Sequence, residues 1–205
     1  MKIAFISNMS SYSGGEICLE RIILGSKLVR PAVLLPQGDF EKRLRKNNVP
    51  VAILKHIRPL KASNMAGRLF NATFRTLLTA IETFLALRRI RPEIVVANSY
   101  GVTMFGWLYQ LFFRKPLVTI HYHPVLQPGT RDFRLARFIY HRNTRIICVS
   151  QAIKQSLQAA GVPENKLQVI HNGLDLGYFD PEKVQTGFLR QRFGLPASEV
   201  LLALV

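Results

Sequence analysis

The chain has 205 residues, 48% of them apolar, enough to bury a sizeable core and to exclude a wholly disordered polypeptide. Its 28 Lys+Arg against 12 Asp+Glu give a formal net charge of +16, so an anionic partner is expected: nucleic acid, an acidic membrane surface or a phosphorylated small molecule. Cys18 and Cys148 stand far apart in apolar runs with no CxxC pair, which excludes a disulfide-stapled miniprotein and a metal-thiolate cluster and suits small core residues of a reducing compartment.

In chain order, short β-rich runs alternate with helical stretches, the pattern of a parallel sheet with crossover helices on its faces. Strands are predicted over Lys2–Ser7, Ala32–Pro36, Val51–Lys55, Glu93–Asn98, Leu117–Tyr122, Arg145–Val149 and Leu167–Ile170. Helices are predicted near 15–28, 39–47, 64–90, 102–113, 133–142 and 151–160. The opening run has one Lys, a few apolar residues and then polar loop residues, which suits a first strand better than a secretion signal and points to a cytoplasmic protein. Ile94 to Phe113 is uncharged over 20 residues, about the length that spans hydrocarbon. Inside it, however, Ile94–Ala97 is β-rich, Asn98–Gly101 is turn-like and only Val102–Phe113 suits a helix, so a buried strand, a loop and a short helix are expected. Ser63 and Ser150 stand as helix caps, and Gly161 ahead of Pro163 marks a helix stop. The long helix sets Leu69, Phe70, Thr73, Leu77, Ala80, Ile81, Phe84 and Leu85 on one broad stripe.

After Asn172-Gly173 the texture turns polar and turn-rich. The expected organisation is an α/β Rossmann-like domain over 1–173, a connection over 174–183 and the start of a further domain over 184–205. The last run, Val200 to Val205, reads as a buried strand with nothing left to cover or pair it, so the chain is expected to stop just inside a second domain.

Three constellations carry chemistry. Ser10-Ser11-Tyr12-Ser13-Gly14-Gly15-Glu16 links the first strand to the first helix, at the edge where doubly wound sheets bind ligands. Gly14 and Gly15 let backbone approach a ligand, and the helix start offers unpaired N–H groups to a phosphate; a turn that needs glycine only for backbone geometry is the alternative. The stretch is neither GxGxxG nor a Walker loop, which removes the main support for nicotinamide binding and P-loop hydrolysis. His121 and His123 end the fifth strand on one side of it, suited to hydrogen bonding a substrate hydroxyl or phosphate, or to a structural role at the strand end. No Asp, Glu or Cys stands near them, so no metal site is expected. Finally, Arg58 to Arg145 holds 14 Arg+Lys and 3 Asp+Glu, so +11 of the +16 sits there, much of it beside the long apolar helix. A helix apolar on one side and basic on another suits an anionic membrane surface; a solvated basic face packed on the sheet is the alternative.

In combination these residues resemble a known family. The first strand followed by Ser13-Gly14-Gly15-Glu16, the strand Val118-Thr119-Ile120-His121, the run Ile146 to Lys154, and Val169-Ile170-His171-Asn172-Gly173-Leu174-Asp175 with Phe179-Asp180-Pro181 resemble the amino-terminal domain of family 4 glycosyltransferases of GT-B fold, retaining enzymes that use nucleotide sugars. The resemblance implies that Gly14 and Gly15 approach the donor diphosphate across an interdomain cleft, with Glu16 beside them. It implies His121 at the reaction centre and Asn172-Gly173 near the cleft. It further implies a nucleoside-diphosphate sugar as donor, no cofactor and no metal, an acceptor glycan or glycolipid, contact with the inner membrane face, and no activity in the chain by itself. The competing reading is a basic α/β module that binds nucleic acid or an acidic membrane surface without catalysis; no helix-turn-helix or RNA-binding signature supports the nucleic-acid version.

Overall fold

The computed structural model describes residues 1–57, 65–123, 131–174, 176–177, 180–183, 187–196 and 198–200, with backbone alone for 65–73, 131–132, 134–136 and 181. By contacts the chain divides into two compact units, Met1–Asn172 and Gly173–Val205.

The first unit is a seven-stranded sheet: β1 (Lys2–Ile6), β2 (Arg30–Leu35), β3 (Val51–Ile53), β4 (Ile94–Ala97), β5 (Leu117–His121), β6 (Arg145–Cys148) and β7 (Leu167–Val169). All pairs are parallel, in the order β3-β2-β1-β4-β5-β6-β7. Each crossover carries a helix: α1 (Gly14–Gly25), α2 (Asp39–Lys46), α3 (Met65–Ile90), α4 (Tyr100–Phe113), α5 (Arg131–Tyr140) and α6 (Gln151–Ala159). Every predicted strand and helix of this unit is found, within a few residues at each end. The uncharged run from Ile94 is β4, a turn and α4, and among the described residues no helix is long and apolar enough to cross a membrane.

Alternation along β1 shows why both sheet faces are covered. Ile3 and Phe5 pack with Leu19 and Ile23 of α1 and Phe40 and Leu44 of α2, whereas Ala4 and Ile6 pack on the other face with Leu87 of α3 and Val102 and Phe105 of α4. Gly106 lets α4 lie against the sheet, since a Cβ there would stand 2.7 Å from Leu117 Cδ1 and 3.2 Å from Val95 Cγ1. A third cluster joins Tyr140, Ile153 and Leu157 to Ile146, Cys148 and Leu167. Cys148 is fully buried and Cys18 partly so, both as free thiols. Ser150 caps α6 by accepting from Ile153 N–H at 3.3 Å, and Gly161 follows that helix at φ +81°, as its sequence position implies.

The stripe expected on α3 is divided. Thr79, Thr83 and Leu87 take the buried line with Ala80 and Phe84 beside them, while Leu77, Ile81 and Leu85 are exposed. Hydropathy groups the large apolar residues together, but close packing selects the buried line, and two compact threonines fit it. The side chains of Leu69, Phe70 and Thr73 lie outside the described set, as do the expected cap Ser63 and the basic residues Arg58 and Lys61.

In the second unit Pro181–Lys183 forms a 3-10 turn and Phe188–Phe193 a short helix, α7, closed by Gly194 at φ +63°. Lys183 pairs with Asp180 at 3.1 Å, and Arg190 holds the chain beyond α7 through the carbonyls of Pro196 and Glu199. The expected helix over 184–193 is therefore seen from Phe188; residues 184–186 and the final run from Leu201 lie outside the described residues.

Candidate active site

The order of strands reverses between β1 and β4: β2 and β3 extend to one side, β5 to β7 to the other. At that point the crossovers leave toward opposite faces and open a crevice at the carboxyl ends of the strands. The loops after β1 and β4 border it, so the Gly14-Gly15 turn stands where the topology makes room for a ligand.

Neither glycine answers a left-handed turn. Neither has a left-handed φ, a Cβ on Gly14 would meet nothing within 4 Å, and one on Gly15 would meet only the Tyr122 ring at 3.9 Å. The space they leave faces outward. The helix behind them begins without a side-chain cap, because Ser13, at the N-cap position, turns its hydroxyl to the Glu16 carboxylate instead. Its first N–H groups thus take no bond from the N-cap side chain, and they carry the positive end of the helix dipole. Helix α4 likewise starts at Ser99 with no side-chain cap, on the other side of the switch.

Glu16 points inward, with 3% of its surface exposed. Its carboxylate accepts from Ser7 Oγ at 3.4 Å, from Asn98 Nδ2 at 3.4 Å and from Ser13 Oγ, so it ties the ends of β1 and β4 to the first turn of α1. Such a buried charge is tolerable because three donors and a helix N-terminus face it. Asn98 continues the chain by accepting from Tyr122 Oη at 2.9 Å, and Tyr122 packs beside Gly15. Burial, reinforced by Cys18 and Glu16, raises the Tyr122 phenol well above its usual range, so it remains a donor. A second support comes from Gly38 ahead of α2: Phe40 N–H donates to the Ser10 carbonyl at 3.3 Å, and a Cβ on Gly38 would stand 2.3 Å from that oxygen. On the outer flank Tyr12 donates to Glu20, which also receives Arg43 at 3.3 Å, with the guanidinium 4.1 Å from the Tyr12 ring centroid.

His121 ends β5 and points to the opposite sheet face from Tyr122. It is 6% exposed, its Nδ1 lies 3.0 Å from Tyr140 Oη, and the two rings meet edge to face at 5.4 Å. Its Nε2 is buried and has no hydrogen-bond partner among the described residues. Burial, with a further push from His123, lowers its pKa from 6.5 to about 4, so the ring is neutral at physiological pH. A buried, neutral, half-satisfied imidazole at a strand end is costly unless something completes it, so Nε2 is free to bond a further group at this edge. His123, by contrast, is exposed.

The sequence-predicted residues therefore fall into three places. Gly14, Gly15 and Glu16 form one connected assembly with Asn98 and Tyr122; His121 ends the same edge on β5; Asn172 lies just past β7, exposed, and Gly173 opens the second unit. Asn98, Tyr122, Tyr140 and Gly38 were not singled out by the sequence, since each acts through residues distant in the chain. Only the position of Asn98 at the end of β4 offered a signal. Among the described residues no three His, Cys, Asp or Glu side chains are placed to hold a metal ion.

Comparison with known proteins agrees with this architecture. The chain is similar over 95% of its length to the Anabaena Alr3699/HepE protein crystallised with UDP, with TM-score 0.70 and 23% identity. It is also similar to a glycosyltransferase from Rickettsia africae ESF-5, with TM-score 0.64, 19% identity and 96% of this chain covered. The lipopolysaccharide outer core galactosyltransferase WaaB, in its apo form, aligns with TM-score 0.62 and 16% identity over 86% of the chain. The chain spans about half the length of these structures: 50%, 50% and 47% respectively. No curated protein matches it at a significant level. The family described as Glycosyltransferase Family 4 matches residues 29–178, and with that coverage of the Rossmann-like unit, the chain belongs to glycosyltransferase family 4.

Proposed function

We propose that this chain is the acceptor-side half of a retaining glycosyltransferase, which moves a sugar from a nucleoside-diphosphate sugar to a hydroxyl of a lipid-linked glycan or polysaccharide, and that it is inactive without its other half. The observation that carries the reading is the pairing of two features at one sheet edge. An uncapped helix start with open glycines suits a diphosphate, and a buried imidazole with a free Nε2 suits a sugar hydroxyl or the acceptor. Family membership gives the reaction class, and the related HepE protein has been crystallised with UDP and with UDP-glucose.

In this reading His121 works as a neutral hydrogen-bonding group. With a pKa near 4 it holds no positive charge that would favour the departing diphosphate at neutral pH, and it is a weak base. Its use is to orient a hydroxyl or the transferred sugar. Tyr140 fixes the ring, and Tyr122 and Asn98 fix the glycine turn. A purely polyanion-binding module would need none of these groups.

The test is transfer, by a protein that carries this chain together with its other half, from a labelled UDP-hexose into a polar-lipid or polysaccharide acceptor. The reading expects product of retained anomeric configuration, with transfer in His121→Ala falling at least about a hundredfold, far more than the accompanying loss of fold stability accounts for. Undiminished turnover in that variant would remove His121 from the centre, and an inverted product would refute the retaining reaction.

A further inference from the structure

The face of β5 that carries His121 is not apolar throughout. Leu117, Thr119 and His121 share it, and Thr119 has no exposed surface, with Ala97 of β4 and Ile146 of β6 beside it in register. A valine would fill the same volume and suit a buried strand better, so the hydroxyl needs a reason. It has two partners. Thr103 Oγ1, at the end of the first turn of α4 and fully buried, lies 2.9 Å away, and Asn143 Nδ2, from the turn after α5 and 1% exposed, donates to it at 2.7 Å.

The protons of these groups can be ordered only one way. Thr103 gives its single hydroxyl proton to the Ser99 carbonyl at 3.0 Å, so Thr119 must donate to Thr103 and accept from Asn143. With the Asn143 amide turned round, the Thr119 proton would go to Oδ1 and the contact between the two hydroxyls would be left without one. The chain therefore runs from Asn143 through Thr119 and Thr103 to the Ser99 carbonyl, at the helix start that borders the crevice. At its other end stands the support of His121. The Asn143 N–H donates to the Tyr140 carbonyl at 3.2 Å, closing the turn whose Tyr140 hydroxyl meets His121 Nδ1. Thr144 of the same turn exchanges bonds with Leu117 at 2.8 and 3.1 Å, and Lys166 Nζ, just ahead of β7, donates to the Asn143 carbonyl at 3.0 Å. Leu117, Thr119 and His121 are thus each joined to one short segment, 140–144.

We infer that Asn143, acting through Thr119 and Thr103, is a positioning residue for the reaction centre: it sets the end of α5 against β5 so that the Tyr140 hydroxyl holds the His121 ring by Nδ1. Hydrogen-bonded side chains in a dry interior act together, so loss of the middle hydroxyl releases both of its neighbours. Asn143 keeps this place at a cost to stability, its Oδ1 being buried with no partner among the described residues, which a residue selected for packing alone would not carry. The inference rests on the proposed role of His121 only for its effect on transfer, because the state of the imidazole is read without any reaction.

The experiment compares Thr119→Val, which keeps the volume and removes both bonds, with Thr119→Ser, which keeps the hydroxyl, in a protein that carries this chain together with its other half. The readouts are the His121 imidazole nitrogen shifts, and kcat and KM for transfer from a UDP-hexose. Thr119→Val is expected to mix the His121 tautomers and to lower kcat about tenfold or more with KM within about twofold, whereas Thr119→Ser keeps both near those of the natural protein. Asn143→Ala breaks the same chain from the turn and gives the same pair of changes, which keeps the test open should Thr119→Val fail to fold. Leu87→Ala, which opens a cavity on the same sheet face outside the chain, lowers the melting temperature and leaves both readouts unchanged. Unchanged shifts in Thr119→Val, or the same shift changes in Leu87→Ala, would overturn the inference and leave the role of His121 standing. Altered shifts with undiminished kcat would remove His121 from the reaction, and the positioning role with it.

Discussion

Acidification should destabilise this protein through His121 before it reaches most carboxylates. The ring is 6% exposed; it touches Tyr140 through Nδ1, faces Cys148 across the β5–β6 pairing and is repelled by His123. Cys148 remains a thiol because burial pushes it up to about 11, and Tyr140 is raised too, so neither supplies an anion to hold an imidazolium. In the unfolded chain the ring takes a proton near 6.5, whereas in the fold it resists to about 4. Between those values the unfolded state holds the extra proton, so stability is fully present above 6.5 and falls as pH falls toward 4. At about 1.4 kcal/mol per tenfold change in proton concentration, the loss is about 3 kcal/mol, or roughly 6–12 °C in Tm for a chain of this size. The assay is chemical denaturation from neutral pH to pH 4 of the natural protein and of His121→Gln, whose side chain does not titrate. Other groups cancel in the difference, so the difference should change by about 3 kcal/mol, with its slope confined to that window. A difference flat with pH would refute the reasoning that burial governs this ring.

Three further outcomes follow from the site geometry. Tyr140 keeps its proton, so it is expected to donate to Nδ1 and leave the Nε2 proton on the free side; Tyr140→Phe should mix the tautomers, read from imidazole nitrogen shifts, and unchanged shifts would contradict the positioning role. Gly38→Ala forces a Cβ against the Ser10 carbonyl and should cost about 1–3 kcal/mol, whereas Gly14→Ala meets empty space and should leave stability within about 1 kcal/mol while weakening nucleotide-sugar binding; equal Tm losses would contradict this division. Glu16→Ala strands two buried donors, Ser7 and Asn98, besides freeing the exposed Ser13 hydroxyl, and should lower stability by about 2–4 kcal/mol in urea denaturation; a loss under about 0.5 kcal/mol would show that the carboxylate is not the tie between β1, β4 and α1.

Much of the fold was legible in the residues because each strand of a covered parallel sheet is a compact apolar run and each crossover is punctuated. Ser150 and Gly161 bound α6 as their chemistry dictates. The Gly14-Gly15 turn and His121 were legible because they sit at strand ends, and a parallel sheet sends all those ends to one edge. What escaped was long-range. Nothing near Gly38 in sequence announces that its missing Cβ makes room for Ser10. Tyr122 and Tyr140 look like ordinary core aromatics until the fold brings one to Asn98 and the other to His121. The division of α3 was illegible for a different reason: hydropathy ranks Leu77 above Thr83, but close packing favours the smaller residue, and Thr83 is the one with no exposure.

The central claim is that the switch-point crevice of this half receives an activated sugar. The most direct measurement is a structure of the encoded protein with an intact nucleoside-diphosphate sugar. The account predicts the diphosphate against the Gly14 and Gly15 amides and a sugar or acceptor oxygen within hydrogen-bond distance of His121 Nε2. Bound ligand with neither contact, and Nε2 still without a partner, would contradict it.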